Sequence, residues 1–115
     1  MSLKIALLSI SFVAMPAMAG NFATCLLDKM PGSVNGATHA AIMRTCLGEF
    51  PGGFTGVVRG SGRGIFGFKD ENACVIKKAK DTTFQSSAGA ISAACHCLYK
   101  QPVFDGEMCA YEAPK

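Results

Sequence analysis

Hydrophobic positions between residues 22 and 50 recur at helical spacing on two successive segments. The first apolar face consists of Phe22, Cys25, Leu26 and Met30. Steps of three and four residues predict a short helix, which Pro31 and Gly32 end. Asn35 is a good N-cap for a second helix. The apolar face of that helix consists of His39, Ile42, Met43, Cys46 and Phe50. Because the connecting turn is short, the two helices are expected to fold back antiparallel.

The same pattern returns 49 positions later without a gap. The matched pairs are Cys25/Cys74, Leu26/Val75, Leu27/Ile76, Lys29/Lys78, Ala41/Ala90, Ile42/Ile91, Cys46/Cys95 and Phe50/Tyr99. We interpret the match as one helical-hairpin unit used twice, over about residues 22–50 and 71–100. The predicted fold is therefore mainly α and disulfide-rich.

The second unit carries clear helix-end signals. Asp70 can cap a helix with Glu71 in its first turn, and the lysines that favour a helix C-terminus are Lys77, Lys78 and Lys80. A strand over residues 73–76 is the alternative, because Cys-Val-Ile suits a pleated sheet. The charge pattern favours the helix. The last helix is predicted up to about Lys100, before Pro102, and its apolar face consists of Phe84, Ala88, Ile91, Cys95 and Leu98.

Residues 51–70 connect the two units and contain seven glycines. This glycine content excludes a stable helix. Residues 54–58 and 65–68 could form the two strands of a β-hairpin, whose Phe66 and Phe68 would share a face that covers the helices. The alternative is an irregular glycine-rich loop. The tail, residues 101–115, has no periodicity, and we expect Cys109 to attach it to the domain.

The N-terminal segment has the features of a secretory signal peptide. Lys4 precedes a short apolar run over residues 5–13, and Ala17-Met18-Ala19 follows as a small-x-small cleavage motif. The run is short for a retained membrane anchor. We expect cleavage after Ala19, no membrane insertion afterwards, and a single domain over residues 20–115. The expected location is periplasmic or secreted.

All six cysteines follow the expected cleavage site, and an even number in a small exported domain predicts a disulfide framework. Six cysteines allow fifteen connectivities. If equivalent cysteines of the two units are used in the same way, the four repeated cysteines can pair within each unit or in two symmetric schemes between the units. We favour the scheme within units, since the cysteines of each hairpin come roughly level. Its pairs are Cys25–Cys46, Cys74–Cys95 and Cys97–Cys109.

Positive charge is concentrated in one segment of the chain, which we consider as a contact surface. After residue 19 the ten Lys and Arg residues exceed the eight Asp and Glu residues by two, too few for nucleic acid binding as a main role. Residues 59–80 carry six positive and two negative side chains. Glycines between the arginines expose backbone N–H groups, which favours contact with an anion. The candidate contact loop comprises Arg59, Ser61 and Arg63 with Lys77, Lys78 and Lys80.

Other motifs are weaker candidates for chemistry. Cys95-His96-Cys97 lacks the second cysteine pair of a zinc site and the spacing of a thiol oxidoreductase, so structural disulfides are preferred. His39 with Ser61 or Ser92 matches no hydrolase motif. We therefore expect no catalytic residue, metal or cofactor. The function we expect is that of a binding or accessory protein for another protein or an anionic envelope component. The alternative is a thiol-active redox or metal-handling protein that uses Cys95 and Cys97.

Overall fold

The computed structural model describes residues 20–109, and this part of the chain is mainly helical. Its four α-helices are α1 (Phe22–Lys29), α2 (Gly36–Glu49), α3 (Glu71–Ala79) and α4 (Gln85–Tyr99). A short 3₁₀ helix follows α2 at Gly53–Gly56. Within residues 20–109 no helix is both long enough and apolar enough to cross a membrane. The predicted signal peptide, residues 1–19, and the last six residues of the tail lie outside the described residues.

Side chains just before the helices set three of the four starts. Asn21 and Thr24 form a reciprocal capping box at α1, in which each backbone N–H donates to the other side chain at 2.8 and 2.9 Å. Asn35 accepts the Thr38 N–H at the start of α2 at 2.9 Å. Asp70 accepts the Ala73 N–H at 2.8 Å. Residues 73–76 are therefore helical, and the strand alternative is wrong.

Three disulfides use all six cysteines of the chain. Cys25 is bonded to Cys46, Cys74 to Cys95, and Cys97 to Cys109, with Cα–Cα distances of 5.7, 5.7 and 5.6 Å. These are the pairs of the scheme within units. The first bond joins α1 to α2, the second joins α3 to α4, and the third attaches the tail to the end of α4.

Helices α1 and α4 lie at the centre of the core. They pack against each other and against α2, and α4 also packs against α3. The fully buried side chains with the largest volumes are Leu26, Met30, Val57, Ile91 and Leu98. By contrast, α2 and α3 each have one fully buried residue, which is Cys46 in α2 and Cys74 in α3. The two outer helices thus cover a core made mainly by α1 and α4.

The β-hairpin predicted within residues 51–70 does not form, and residues 20–109 contain no extended strand. Val58 instead makes an isolated antiparallel bridge with Met108 in the tail. Around it the Arg59 N–H donates to the Glu107 carbonyl, and the Cys109 N–H to the Val57 carbonyl, each at 2.7 Å. The tail competes successfully for this segment because the Cys97–Cys109 disulfide holds it nearby.

The prediction that Phe66 and Phe68 cover the helices is right for Phe68 and wrong for Phe66. The Phe68 ring packs edge-to-face on Tyr99 of α4, with ring centroids 5.6 Å apart. Phe66 is fully exposed and covers nothing. Phe68 lies beyond the closed base of the loop, whereas Phe66 lies at its outer end.

Candidate functional site

Arg59, the first arginine of the predicted contact loop, faces the tail. Its Nε lies 3.4 Å from Glu107 Oε2, and its side chain is only 13% exposed. The same Glu107 oxygen accepts the Val103 N–H at 3.1 Å. Arg59 therefore holds two loops together, and its guanidinium is not presented to a partner.

Ser61 and Arg63 lie on the surface in consecutive tight turns. The Ser61 N–H donates to the Val58 carbonyl at 3.2 Å, and the Arg63 N–H to the Gly60 carbonyl at 3.1 Å. Both side chains are exposed, and within residues 20–109 Arg63 has no ion pair. Arg63 is thus the arginine of this loop that is available for contact.

The three lysines of the predicted site lie at the other end of the molecule. Lys77 and Lys80 are exposed and Lys78 is half-buried, in the last turn of α3 that leads to the start of α4. The arginine loop instead lies at the end of α4, where the Gly62 N–H donates to the Leu98 carbonyl at 2.9 Å. Thirteen residues of α4 separate the two places, about 20 Å at the helical rise. The six predicted residues therefore do not form one cluster.

A projecting turn occupies the outer part of the arginine loop. We call residues 63–66, Arg-Gly-Ile-Phe, the RGIF turn. The side chains of Ile65 and Phe66 are 94% and 102% exposed. On one side of the turn Gly62 bonds to the end of α4, and on the other side Phe68 packs on Tyr99. Two adjacent apolar side chains thus project from a loop that is anchored on both sides.

Glycine at two positions allows the base of this turn to close. A Cβ atom at Gly67 would overlap the Gly62 carbonyl oxygen and would lie 3.2 Å from the Tyr99 ring. A Cβ atom at Gly62 would lie 2.9 Å from Leu98 Cβ. The Gly-Ile-Phe-Gly run is the sequence signal for this turn, whereas local β propensity assigns residues 65–68 to a strand.

A second exposed apolar pair lies at the same end of the molecule. Val103 and Phe104 are 86% and 63% exposed. Their loop begins at Pro102, whose Cδ atom would lie 2.9 Å from a Cβ atom at Gly60. It closes where the Glu107 N–H donates to the Phe104 carbonyl at 3.2 Å. The two loops therefore meet at their bases beside the end of α4.

A buried polar network, which the sequence did not indicate, joins the two helix pairs at the opposite end. The Ser87 hydroxyl donates to Ser33 Oγ at 3.0 Å, and His39 Nδ1 lies 2.9 Å from Ser87 Oγ. The Gly32 N–H donates to Thr82 Oγ1 at 3.0 Å.

This network is suited to structure and not to hydrolysis. Ser87 is completely buried, so no substrate reaches it. The Ser87 hydroxyl donates its hydrogen to Ser33 Oγ, so His39 Nδ1 does not receive it. Within residues 20–109, His39 makes no hydrogen bond to Ser61 or Ser92.

The Cys95-His96-Cys97 motif is divided among three different contacts. Cys95 and Cys97 belong to separate disulfides, and both are buried. His96 Nδ1 lies 2.8 Å from Glu71 Oε1, which links the end of α4 to the start of α3. Among residues 20–109 no group of three His, Cys, Asp or Glu side chains is arranged to hold a metal ion.

Comparisons with known proteins identify no related protein. The chain matches no protein-family model, and no similar protein was found among the curated proteins or the solved structures.

Proposed function

We propose that this chain is a small non-catalytic binding protein that contacts an acidic partner through the RGIF turn. The observation that carries the proposal is the full exposure of Ile65 and Phe66 on an anchored loop. Exposed apolar side chains grouped at one end of a small domain are typical of a contact surface. Arg63 supplies a cation beside them. Arg59 acts by holding the loop, and Lys77, Lys78 and Lys80 lie outside the proposed site.

The frame behind this site is proposed to be one helical hairpin used twice. The capping residues Asn21 and Asp70 are 49 positions apart, and so are Asn35 and Phe84, which precede α2 and α4. The Cys25–Cys46 and Cys74–Cys95 bonds have the same separation of 21 residues. The glycine-rich connection between the hairpins supplies the contact loop.

The protein is proposed to be exported to the periplasm or the exterior after removal of residues 1–19. Pairing of all six cysteines supports an oxidising compartment. The class of function is that of an inhibitor, an immunity protein or an accessory subunit of an envelope complex.

Burial weighs against the alternative of a thiol-active protein. Cys95 and Cys97, the cysteines that this alternative uses, are 0% and 3% exposed and belong to two different disulfides. Attack by an external thiolate needs access to a sulfur atom, and structural cysteines buried in this way are inert. A count of reactive thiols before and after mild reduction tests the alternative, which requires the disulfides that hold Cys95 and Cys97 to be reduced faster than Cys25–Cys46.

Capture of binding partners from an envelope extract tests the proposed site. Immobilised wild-type protein is compared with the Ile65→Ser/Phe66→Ser variant and with Ile76→Ser, a matched control on the exposed face of α3. We expect the double variant to lose the captured protein or lipid and the control to keep it. Equal recovery by all three proteins would contradict the proposal.

A further inference from the structure

We infer that the acidic partner of the RGIF turn is an anionic phospholipid surface, into which Ile65 and Phe66 insert. The inference rests on the proposed function and names its partner. Three features carry it: the projecting shape of the turn, a second apolar pair at the same end of the molecule, and the unpaired cations around them.

The shape of the turn suits a fluid partner. Side chains that are 94% and 102% exposed touch almost nothing of their own chain, so Ile65 and Phe66 project outward. A protein partner would need a preformed pocket for each side chain. The boundary between lipid headgroups and acyl chains accepts apolar side chains at a depth of about 5–10 Å without such a pocket.

The second apolar pair gives the membrane another point of attachment. Val103 and Phe104 belong to the loop that meets the arginine loop at Gly60 and Pro102. The Arg59–Glu107 ion pair and the Cys97–Cys109 disulfide fix the two loops relative to each other. The second apolar pair therefore lies on a loop that is held against the base of the first.

The charges of the segment that carries the turn, residues 59–69, favour an anionic surface over a neutral one. The exposed cations are Arg63, Lys69 and Lys100, and within residues 20–109 none of them has an ion pair. Residues 59–69 contain no Asp or Glu, and Arg59, their third cation, pairs with Glu107. The other carboxylates near this end, Asp70, Glu71 and Asp105, lie outside that segment. Each unpaired cation near an anionic leaflet favours binding by about fivefold, and salt weakens this contribution.

Co-sedimentation with vesicles tests the inference. The protein is purified with its disulfides formed, and its mass is checked to exclude residues 1–19, whose apolar run would bind lipid by itself. The vesicles contain phosphatidylethanolamine with or without one quarter phosphatidylglycerol. We expect binding to the anionic vesicles that falls at least about tenfold in Ile65→Ser/Phe66→Ser, because burial of both side chains is lost. Arg63→Ser is expected to weaken it about fivefold.

The matched control and the outcomes separate this inference from the proposed function. Ile76→Ser, on α3, is expected to bind as the wild type does, and all variants are expected to keep the unfolding midpoint. Absence of wild-type binding, equal binding to both vesicles, or unchanged binding of the double variant would overturn the inference. If the double variant nevertheless loses a soluble acidic protein captured by the wild type, the proposed function stands and its lipid partner is wrong.

Discussion

The two ends of the helix pairs differ in which side chains they bury and which they expose. At the end formed by the turns after α1 and α3, polar side chains point inward and hydrogen-bond to each other. At the end beside the last turn of α4, apolar side chains point outward and contact little. The first arrangement holds the fold together. The second leaves apolar surface exposed to water, which is unfavourable unless a partner covers it.

The buried polar side chains at the polar end all form hydrogen bonds. Ser33, Thr82 and Ser87 are buried, and each takes part in a hydrogen bond between the two helix pairs. Among residues 20–109 no buried side-chain nitrogen or oxygen lacks a partner. Buried polar groups are tolerated when they are bonded in this way.

The apolar end is equally well anchored, so looseness does not explain its exposed side chains. Backbone bonds join Gly60 to Cys97 and Gly62 to Leu98, each at 2.9 Å. A disulfide and the bridge of Val58 to Met108 hold the tail beside them. This contrast leads to four predictions, from the largest expected effect on stability to the smallest.

Removal of the tail disulfide should loosen the apolar end selectively. Cys97→Ala/Cys109→Ala is expected to lower the free energy of unfolding by about 3 kcal/mol, because a cross-link closing a short loop is lost. Amide exchange should accelerate at the backbone N–H groups of positions 59 and 109 and stay slow at Gly32, which belongs to the polar end. Equal acceleration at both ends would contradict the division of the molecule.

Gly67→Ala should disrupt the base of the RGIF turn. The new Cβ atom would overlap the Gly62 carbonyl oxygen, and the expected cost is about 2 kcal/mol of unfolding free energy. Gly64→Ala is the matched control, since nothing lies within 4 Å of its Cβ position. Urea unfolding measures both variants. Equal effects of the two substitutions would mean that the turn is not closed as described.

Ser87→Ala should weaken the polar end without affecting partner binding. The substitution leaves Ser33 Oγ and His39 Nδ1 without their shared contact, at an expected cost of about 1–2 kcal/mol. Ser86→Ala, at an exposed neighbouring position, should be neutral. Thermal unfolding and vesicle binding are measured on both. A loss of binding in Ser87→Ala at a temperature where the variant stays folded would show that the polar end affects the binding surface at the apolar end.

Ile65→Ser/Phe66→Ser should change stability least, by less than about 0.5 kcal/mol, because both side chains are exposed in the free protein. Leu26→Ala, in the buried face of α1, is the contrasting substitution and should cost about 2–5 kcal/mol. Urea unfolding separates the two. A destabilisation of the double variant comparable to that of Leu26→Ala would show that the turn belongs to the core.

Much of the helical fold could be predicted from local signals. The 3.6-residue pattern, Asn35 and Asp70 indicate where helices run and begin, and the repeated cysteine spacing favours the disulfides that are present. Which helix of each pair becomes central could not be predicted. Leu27 of α1 is 7% exposed, whereas Ile76, its equivalent in α3, is 69% exposed. Periodicity identifies an apolar face but does not show how many neighbours cover it.

The candidate site was only partly predictable for a related reason. Arg59 and Arg63 look alike in the sequence, but Glu107, a residue distant in the chain, pairs with Arg59 alone. The contact between the tail and residues 57–59 likewise depends on tertiary proximity. Local β propensity favoured a hairpin in residues 54–68, and the tail proved to be the better partner for Val58.

The fluorescence of a single tryptophan tests the central claim most directly. The chain has no tryptophan, so Phe66→Trp places one reporter in the RGIF turn, and Ile76→Trp places one on α3 as a control. We predict that anionic vesicles shift the Phe66→Trp emission to shorter wavelength and that bromine-labelled lipids quench it, while the Ile76→Trp emission stays unchanged. Emission from Phe66→Trp that is unaltered while the protein is bound to the vesicles would contradict insertion of the RGIF turn.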